Sequence, residues 1–153
     1  MVEIVDSTAK HTKELIFDEQ SKIEANAVGL DPNKILFQLY RKACYRKTAI
    51  LDNIPVAMWG IHGTPISLIG NPYFETGLGI EKIPKIRLIK IYKQEIEVMR
   101  KLFPVLLNYV QDHHHKAISA LKSAGFEISD PEFIDGSWYR KYQLITKSNS
   151  WEL

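Results

Sequence analysis

The segment ETGLGIEKIPKIRLIK, residues 75–90, constrains the fold most strongly, because an apolar strand passes through Gly77 and Gly79 into a long helix. The helix is predicted from about Pro84 to Phe103, where apolar residues recur every three or four positions: Leu88, Ile89, Tyr92, Ile96, Met99 and Phe103. Many proteins hold a phosphate at the helix N-terminus with this order of elements. The Gly-x-Gly sequence also fits a plain turn, which we favour because the motif alone is a weak signal.

The hydrophobic pattern around this segment predicts further strands and helices. A short N-terminal strand precedes helical stretches, the clearest of which begins with Asp31 as N-cap and Pro32 in the first turn. Residues 48–62 are predicted to form a hairpin with Asp52 and Asn53 in its turn. After the long helix come a strand VLLNYV, a helix HKAISALKSAG, and two strands, FEI and the alternating SWYRKYQLIT. The fold class is therefore α/β or α+β, with one mixed sheet covered by helices on both faces.

Size and composition predict a single globular domain over residues 1–146, followed by a polar tail over residues 147–153. The formal net charge is only +2 and the charges are interspersed, so no nucleic-acid-binding surface is predicted. The only cysteine, Cys44, excludes an intramolecular disulfide, and we expect it to be a small buried hydrophobe in a reducing compartment. No apolar run approaches the roughly 20 residues that cross a bilayer, which predicts a soluble intracellular protein without a membrane partner.

Four motifs in order carry a resemblance to a known family. They are PVAMWG at 55–60, GNPY at 70–73, MRKLFPVLLNYV at 99–110 and AISALKSAGF at 117–126. Together they resemble the GNAT superfamily of acyl-CoA-dependent N-acetyltransferases, in the branch of bacteriophage proteins similar to internal virion protein A of short-tailed coliphages. The resemblance covers roughly residues 15 to 145. It implies a GNAT-like mixed, mostly antiparallel sheet, with acetyl-CoA as the cofactor if the protein is active.

The resemblance also implies where a cofactor would bind. The superfamily's phosphate loop, (Q/R)-x-x-G-x-(G/A), aligns Phe74 with the Gln/Arg position and Gly77 and Gly79 with the glycines. Thr76 lies within the same motif. The phage relatives carry a basic segment instead, where Arg87 and Lys90 stand here; these cations either bind phosphate or form the solvated face of the helix, and we favour the solvated face. His114 is expected to cap or orient the following helix, and is a further candidate for a ligand contact.

The candidate catalytic groups are few. Glu75, near the end of the fourth predicted strand, is the candidate base, although a lone Glu at a strand end is more often a solvated edge residue. The acid tyrosine that the superfamily usually carries is replaced by Leu121, whose spacing also marks it as a core residue. The consecutive histidines 113–115 do not predict a metal site, because neighbouring side chains point in different directions and do not converge on one ion.

These residues support two hypotheses. In the first, the chain keeps the GNAT fold, is catalytically degenerate, and works in virion assembly or as a virion component with other phage structural proteins as partners. In the second, it is an active acyl-CoA-dependent N-acetyltransferase that modifies a phage or host amine. Both locate the protein in the bacterial host cytoplasm during infection, and the first also in the virion. We favour the first hypothesis, since a fold does not carry its function when the site residues change.

Overall fold

The computed structural model describes residues 1–64 and 66–146, so the predicted tail at 147–153 lies outside the described residues. The helices there are α1 Ala9–Glu14, α2 Glu19–Ala27, α3 Pro32–Lys42, α4 Lys85–Leu102 and α5 His115–Ser123, with a 3₁₀ turn at Ile80–Lys82. The strands are β1 Val2–Asp6, β2 Tyr45–Leu51, β3 Ile54–His62, β4 Ile69–Thr76, β5 Val105–Gln111, β6 Glu127–Ile128, β7 Glu132–Ile134 and β8 Ser137–Ile145.

The eight strands follow the order β1-β2-β3-β4-β5-β8-β6, with β7 also paired to β8. The pairs of β1 with β2, β2 with β3, and β8 with β5, β6 and β7 are antiparallel, whereas β4 and β5 run parallel. The prediction of a mixed, mostly antiparallel sheet with helices is therefore confirmed. The chain divides into two compact units, the first of residues 1–63 and 72–88, and the second of residues 64–71 and 89 onward. The single-domain boundary at residue 146 stays a prediction.

The first unit contains the β2–β3 hairpin and helices α1 to α3. The hairpin turn has positive φ at both Asp52 (52°) and Asn53 (65°), as a two-residue turn between antiparallel strands requires. Asp31 accepts a hydrogen bond from the Asn33 amide at 3.0 Å and Pro32 occupies the first turn, so the predicted start of α3 is confirmed. The core of this unit is a cluster of buried apolar residues from helix, link and strand: Leu15, Phe17, Leu36, Ala43, Met58 and Tyr73.

The second unit is built on the pairing of β5 with β8 over seven residue pairs, from Val105 with Ile145 to Gln111 with Tyr139. The parallel pairing of β5 with the start of β4 covers only two pairs, and the Asn71 side chain then donates to the Leu107 carbonyl at 2.8 Å. The core is formed by buried residues of α4, β5, α5 and β8 and of the segments that follow the two helices: Ile96, Met99, Phe103, Leu106, Ile118, Leu121, Phe126 and Tyr142.

Three details of the predicted pattern were wrong. Cys44 is exposed rather than buried, because it follows the end of α3 and lies at a polar cavity of about 280 Å³ beside Ser7 and Arg46. Ile89 belongs to the predicted apolar stripe of α4 and lies on the same face as Ile96, but it is exposed, because the buried residues of this helix, Glu95, Ile96 and Met99, all lie in its C-terminal half. The third detail is an additional strand, β7, that the sequence analysis missed.

Strand β7 forms a hairpin with β8 around Asp135 and Gly136, which have φ values of 47° and 85°. An Asp-Gly pair between short apolar runs is a strong hairpin signal, and it was present in PEFIDGSW. Cross-strand neighbours Phe133 and Trp138 pack edge to face at 5.4 Å between ring centroids, and both are more than half exposed. The hairpin thus presents an aromatic pair to solvent.

Candidate functional site

The 77–83 loop, between β4 and α4, is the segment in which a phosphate cradle was considered. Its first two amides are engaged by backbone carbonyls from distant parts of the chain. The Gly77 N–H donates to the Val56 carbonyl of β3 at 2.9 Å, and the Leu78 N–H donates to the Ile16 carbonyl, after α1, at 2.7 Å. A backbone amide that already has a carbonyl partner at this distance is not available to a phosphate oxygen.

Four of the five remaining loop amides are engaged within the loop itself. The Gly79 N–H donates to the Glu81 carboxylate, Oε2, at 3.0 Å, so a side-chain anion occupies the position that a phosphate oxygen would take. The next turn is 3₁₀, and its amides donate to loop carbonyls: Ile80 to Gly77, Lys82 to Gly79 and Ile83 to Ile80. Six amides between residues 77 and 83 are therefore satisfied inside the protein.

The two glycines are explained by close packing of the loop. A Cβ on Gly77 would lie 2.8 Å from the Ile16 carbonyl oxygen, and one on Gly79 would lie 2.9 Å from Val56 Cγ1. Gly79 also has a φ of +100°, which a residue with a side chain rarely adopts. The glycines therefore let the loop close against β3 and the segment after α1. The geometry is that of a closed turn.

Helix α4 begins at Lys85, beyond the glycine loop, so its first turn is separated from Gly79 by the 3₁₀ turn. Arg87 and Lys90 are exposed, and neither forms an ion pair within residues 1–64 and 66–146. Arg87 and Lys82 line a cavity of about 200 Å³ in the first unit, whose other walls are largely apolar. Lys82 and Arg87 are thus two cations beside this cavity that could meet a phosphate as point charges.

Glu75 is the sequence candidate with the most distinctive environment. It lies partly buried on β4, and burial of its carboxyl raises the pKa of Glu75 from the ordinary 4.5 to about 7. A carboxylate with that pKa accepts a proton near neutral pH, as a general base must. The expectation of an ordinary solvated edge residue does not describe this environment.

Tyr73 lies two positions before Glu75, on the same face of β4, and the sequence analysis did not single it out as a functional group. Its side chain is 5% exposed, and its hydroxyl has no hydrogen-bond partner among the described residues. Burial also raises the pKa of Tyr73, so the phenol stays protonated at neutral pH. Residues two positions apart on a strand point to the same face, so the sequence could have indicated that Tyr73 and Glu75 lie side by side.

The other residues that were predicted to contact a ligand belong to two different units of the chain. In the first unit, Phe74 is partly buried and Thr76 is exposed at the last position of β4. In the second unit, His114 occupies the N-cap position of α5, but its side chain makes no capping hydrogen bond. A side-chain cap is therefore wrong, and the alternative, that His114 orients the helix, stays a prediction. Its ring instead lies edge to face with His113 at 4.4 Å. Glu81, which the sequence analysis missed, is the residue that engages the Gly79 amide.

Leu121 stands where the resemblance implies an acid tyrosine. It is 3% exposed on α5, within the core of the second unit, as its helical spacing predicted. An apolar side chain has no proton to give to a departing thiolate.

Comparison with solved structures identifies the fold. An acetyltransferase of the GNAT family from Bacillus anthracis aligns with a TM-score of 0.65 at 11% identity, over 94% of each chain. The chain has the fold of a GNAT acetyltransferase. Ard1 from Thermoplasma volcanium aligns with a TM-score of 0.68 at 14% identity, over 96% of this chain and 99% of the other. An acetyltransferase from Bacillus subtilis in complex with CoA aligns with a TM-score of 0.61 at 12% identity, over 95% and 97%.

At these identities the comparison establishes the GNAT fold alone, and it confirms that part of the sequence resemblance. No family model matches the sequence, and no curated protein matches it. The Bacillus anthracis and Bacillus subtilis structures are acetyltransferases, and none of the three similar structures supports the phage branch of the resemblance. Within the described part of the chain, none of the helices combines the length and the apolar composition that crossing a bilayer requires.

Proposed function

We propose that this GNAT-fold protein is catalytically degenerate and acts as a binding protein rather than as an acyl-CoA-dependent enzyme. The observation that carries the proposal is the closed 77–83 loop, in which six amides already have partners. A pyrophosphate in this loop would have to replace backbone hydrogen bonds, each of which contributes about 1 kcal/mol net. It would also approach the Glu81 carboxylate, a like charge.

The buried Leu121 supports the same proposal independently. The superfamily's usual route needs an acid for the departing thiolate, and Leu121 removes the side chain that the resemblance implies for this role. Loss of the phosphate cradle and loss of the acid affect two different steps, binding and chemistry. Their coincidence in one chain favours a changed function over a modified cofactor site.

For the partner we propose structural proteins of a bacteriophage particle, with the protein acting in virion assembly or remaining in the virion. This partner class rests on the sequence resemblance at residues 55–60, 70–73, 99–110 and 117–126. Quantitative mass spectrometry of purified particles and of the infected host cytoplasm tests it. Enrichment in particles or in assembly intermediates is expected, whereas a protein found only free in the cytoplasm would contradict the virion role.

Calorimetric titration with acetyl-CoA tests the degenerate state directly. We expect no one-to-one complex at acetyl-CoA concentrations up to roughly millimolar. A dissociation constant above that concentration corresponds to a binding free energy weaker than about 4 kcal/mol. A one-to-one complex with a low-micromolar dissociation constant would overturn the proposal.

The matched control is Glu81→Gln, which removes the charge at the Gly79 amide and leaves the five backbone-to-backbone hydrogen bonds of the loop in place. We expect this variant also to bind no acetyl-CoA. If Glu81→Gln alone restored low-micromolar binding, the loop would be a cradle closed by one side chain, and the degenerate proposal would be wrong.

A second function, acyl-CoA-dependent N-acetyltransfer to a phage or host amine, is favoured by Glu75. Its carboxyl, with a pKa of about 7, has the proton affinity that suits a base for an ammonium acceptor. In this alternative the cofactor phosphates would meet Lys82 and Arg87 instead of the loop amides. The chemistry would then proceed without an acid side chain at position 121.

The alternative predicts that Glu75→Gln lowers kcat for acetyl transfer by roughly 10²- to 10⁴-fold, the usual contribution of a general base. The measurement is thiol release from acetyl-CoA with a panel of primary amines, and exposed Glu3→Gln serves as the control. Activity in the wild type that survives Glu75→Gln unchanged would eliminate Glu75 as the base. No thiol release from the wild type would leave the degenerate proposal standing.

A further inference from the structure

Helix α1 begins with a capping box in which a histidine takes the place usually held by Glu or Gln. Thr8 is the N-cap, and its Oγ1 accepts a hydrogen bond from the His11 N–H at 3.3 Å. In return, the Thr8 N–H donates to His11 Nδ1 at 3.1 Å. The His11 N–H also donates to the Thr8 carbonyl at 3.1 Å, so the Thr8 N–H is the amide that depends on this exchange. A titratable ring therefore holds the first turn of α1.

The same ring nitrogen also contacts the sheet. Thr48 of β2 is fully buried, and its Oγ1 lies 3.1 Å from His11 Nδ1. The Thr48 hydroxyl lies 2.8 Å from that of Ser7, which follows β1 and is also buried. Because Nδ1 accepts the Thr8 N–H, the neutral ring carries its proton on Nε2. Thr48 must then donate to Nδ1, and Ser7 must donate to Thr48.

We propose that His11 is a pH-operated latch, which fastens the first turn of α1 to β2 in its neutral form and releases it on protonation. A proton on Nδ1 turns the shared acceptor into a donor that faces the Thr8 N–H. The Thr8 amide then loses its partner, and the hydroxyls of Thr48 and Ser7 must reverse their direction. The C-terminal end of α1 has separate support, since the Asn33 side chain donates to the Thr12 and Leu15 carbonyls at 2.8 and 3.0 Å. Release is therefore confined to the first turn.

The charges around the ring set the pH range of the latch. Burial lowers the pKa of His11 from its ordinary 6.5, Glu14 on α1 opposes this effect, and Lys10 on α1 adds to it. On the sheet side, Asp6 of β1 and Lys47 of β2 form an ion pair with each other. A His with a lowered folded-state pKa contributes stability that is complete above the unfolded pKa and is lost as pH falls through the folded pKa. The latch is thus fastened at neutral pH and released in acid.

The test compares the wild type with His11→Gln between pH 8 and pH 4. Glutamine at this position accepts the Thr8 N–H at every pH, so it keeps the capping box and removes the titration. From neutral pH to acid, the wild type is expected to lose about fivefold more in its folding equilibrium constant than His11→Gln does, the effect of about one backbone hydrogen bond. The protection factor of the Thr8 amide against hydrogen exchange should fall in acid in the wild type only.

Two outcomes would overturn the latch. One is an identical pH dependence of unfolding for wild type and His11→Gln; the other is a ¹⁵N spectrum in which the neutral ring carries its proton on Nδ1. Should His11→Gln fail to fold, Thr48→Val provides an independent test, because valine matches threonine in shape but lacks the hydroxyl that donates to Nδ1. In the protonated form the Thr48 hydroxyl accepts from Nδ1–H, and Thr48→Val removes this charge-assisted hydrogen bond. The His11 titration should therefore move to lower pH in Thr48→Val, and an unmoved titration contradicts the proposal.

Discussion

Replacing Glu75 with Gln should stabilise the protein by about 3 kcal/mol at pH 8 and leave its stability nearly unchanged at pH 4. The physical reason is the carboxyl's burial, which raises the pKa of Glu75 from 4.5 in the ordinary state to about 7 in the fold. A raised carboxyl pKa means that the folded state holds the proton more tightly than the unfolded chain does. Its stabilising contribution is therefore complete below pH 4.5 and is lost as the pH rises to 7.

Denaturant unfolding between pH 4 and pH 9 measures this effect. The wild-type free energy of unfolding should fall from about pH 4.5 to 7 relative to that of Glu75→Gln, whose amide does not titrate. Glu3→Gln, on exposed β1, is the matched control and should follow the wild-type curve. If the curves of wild type and Glu75→Gln ran parallel, the carboxyl of Glu75 would be solvated in the folded protein, and its candidacy as a base would end with that result.

The second large effect is expected for Gly60→Ala on β3, which should lower the free energy of unfolding by about 3 kcal/mol. A Cβ at this position would lie 2.5 Å from the Tyr45 carbonyl oxygen of β2, and 2.8 Å from both Cε1 and the hydroxyl of Tyr73. The carbonyl belongs to the paired β2–β3 backbone and Tyr73 is buried in the core. Neither atom can retreat without breaking strand pairing or repacking the first unit.

Gly29→Ala provides the comparison for Gly60→Ala. Gly29 has a φ of +73°, but no atom lies within 4 Å of the position that an alanine methyl would occupy, so alanine there tests backbone strain without crowding. Its cost should be about 1 kcal/mol. Denaturant midpoints of both variants give the comparison directly. Equal losses for the two substitutions would contradict the close approach of Tyr45 and Tyr73 to Gly60.

Local sequence signals were sufficient to predict a helix start or a turn wherever the residues that determine it are adjacent in the sequence. Asp31 with Pro32 predicted the start of α3, and Asp52 with Asn53 predicted the β2–β3 turn, because caps and tight turns are determined by adjacent residues. Asp135 with Gly136 is the same kind of signal, but the strand before it, β7, is only three residues long, and the sequence analysis did not predict it.

Neither the closure of the 77–83 loop nor the burial of Glu75 could be predicted from adjacent residues. Closure of the 77–83 loop depends on carbonyls of Ile16 and Val56, which are remote from the loop in sequence and unrelated to any side-chain type. The environment of Glu75 likewise depends on how completely other segments cover β4, so its raised pKa was not readable from one Glu at a strand end. The sequence therefore indicated which residues to examine, and tertiary packing decided their chemical state.

The closed loop also bears on how such proteins change in evolution. Because a glycine has no side chain, any group can lie close to its backbone. At Gly77 this group is the Ile16 carbonyl, which lies in the space that an anion would require. An ancestral cofactor loop and a purely structural joint can therefore share the same glycine spacing. Selection for packing alone would preserve Gly77 and Gly79 long after any nucleotide had ceased to bind. A Gly-x-Gly spacing in such a loop is therefore evidence of close packing and is not by itself evidence of a ligand.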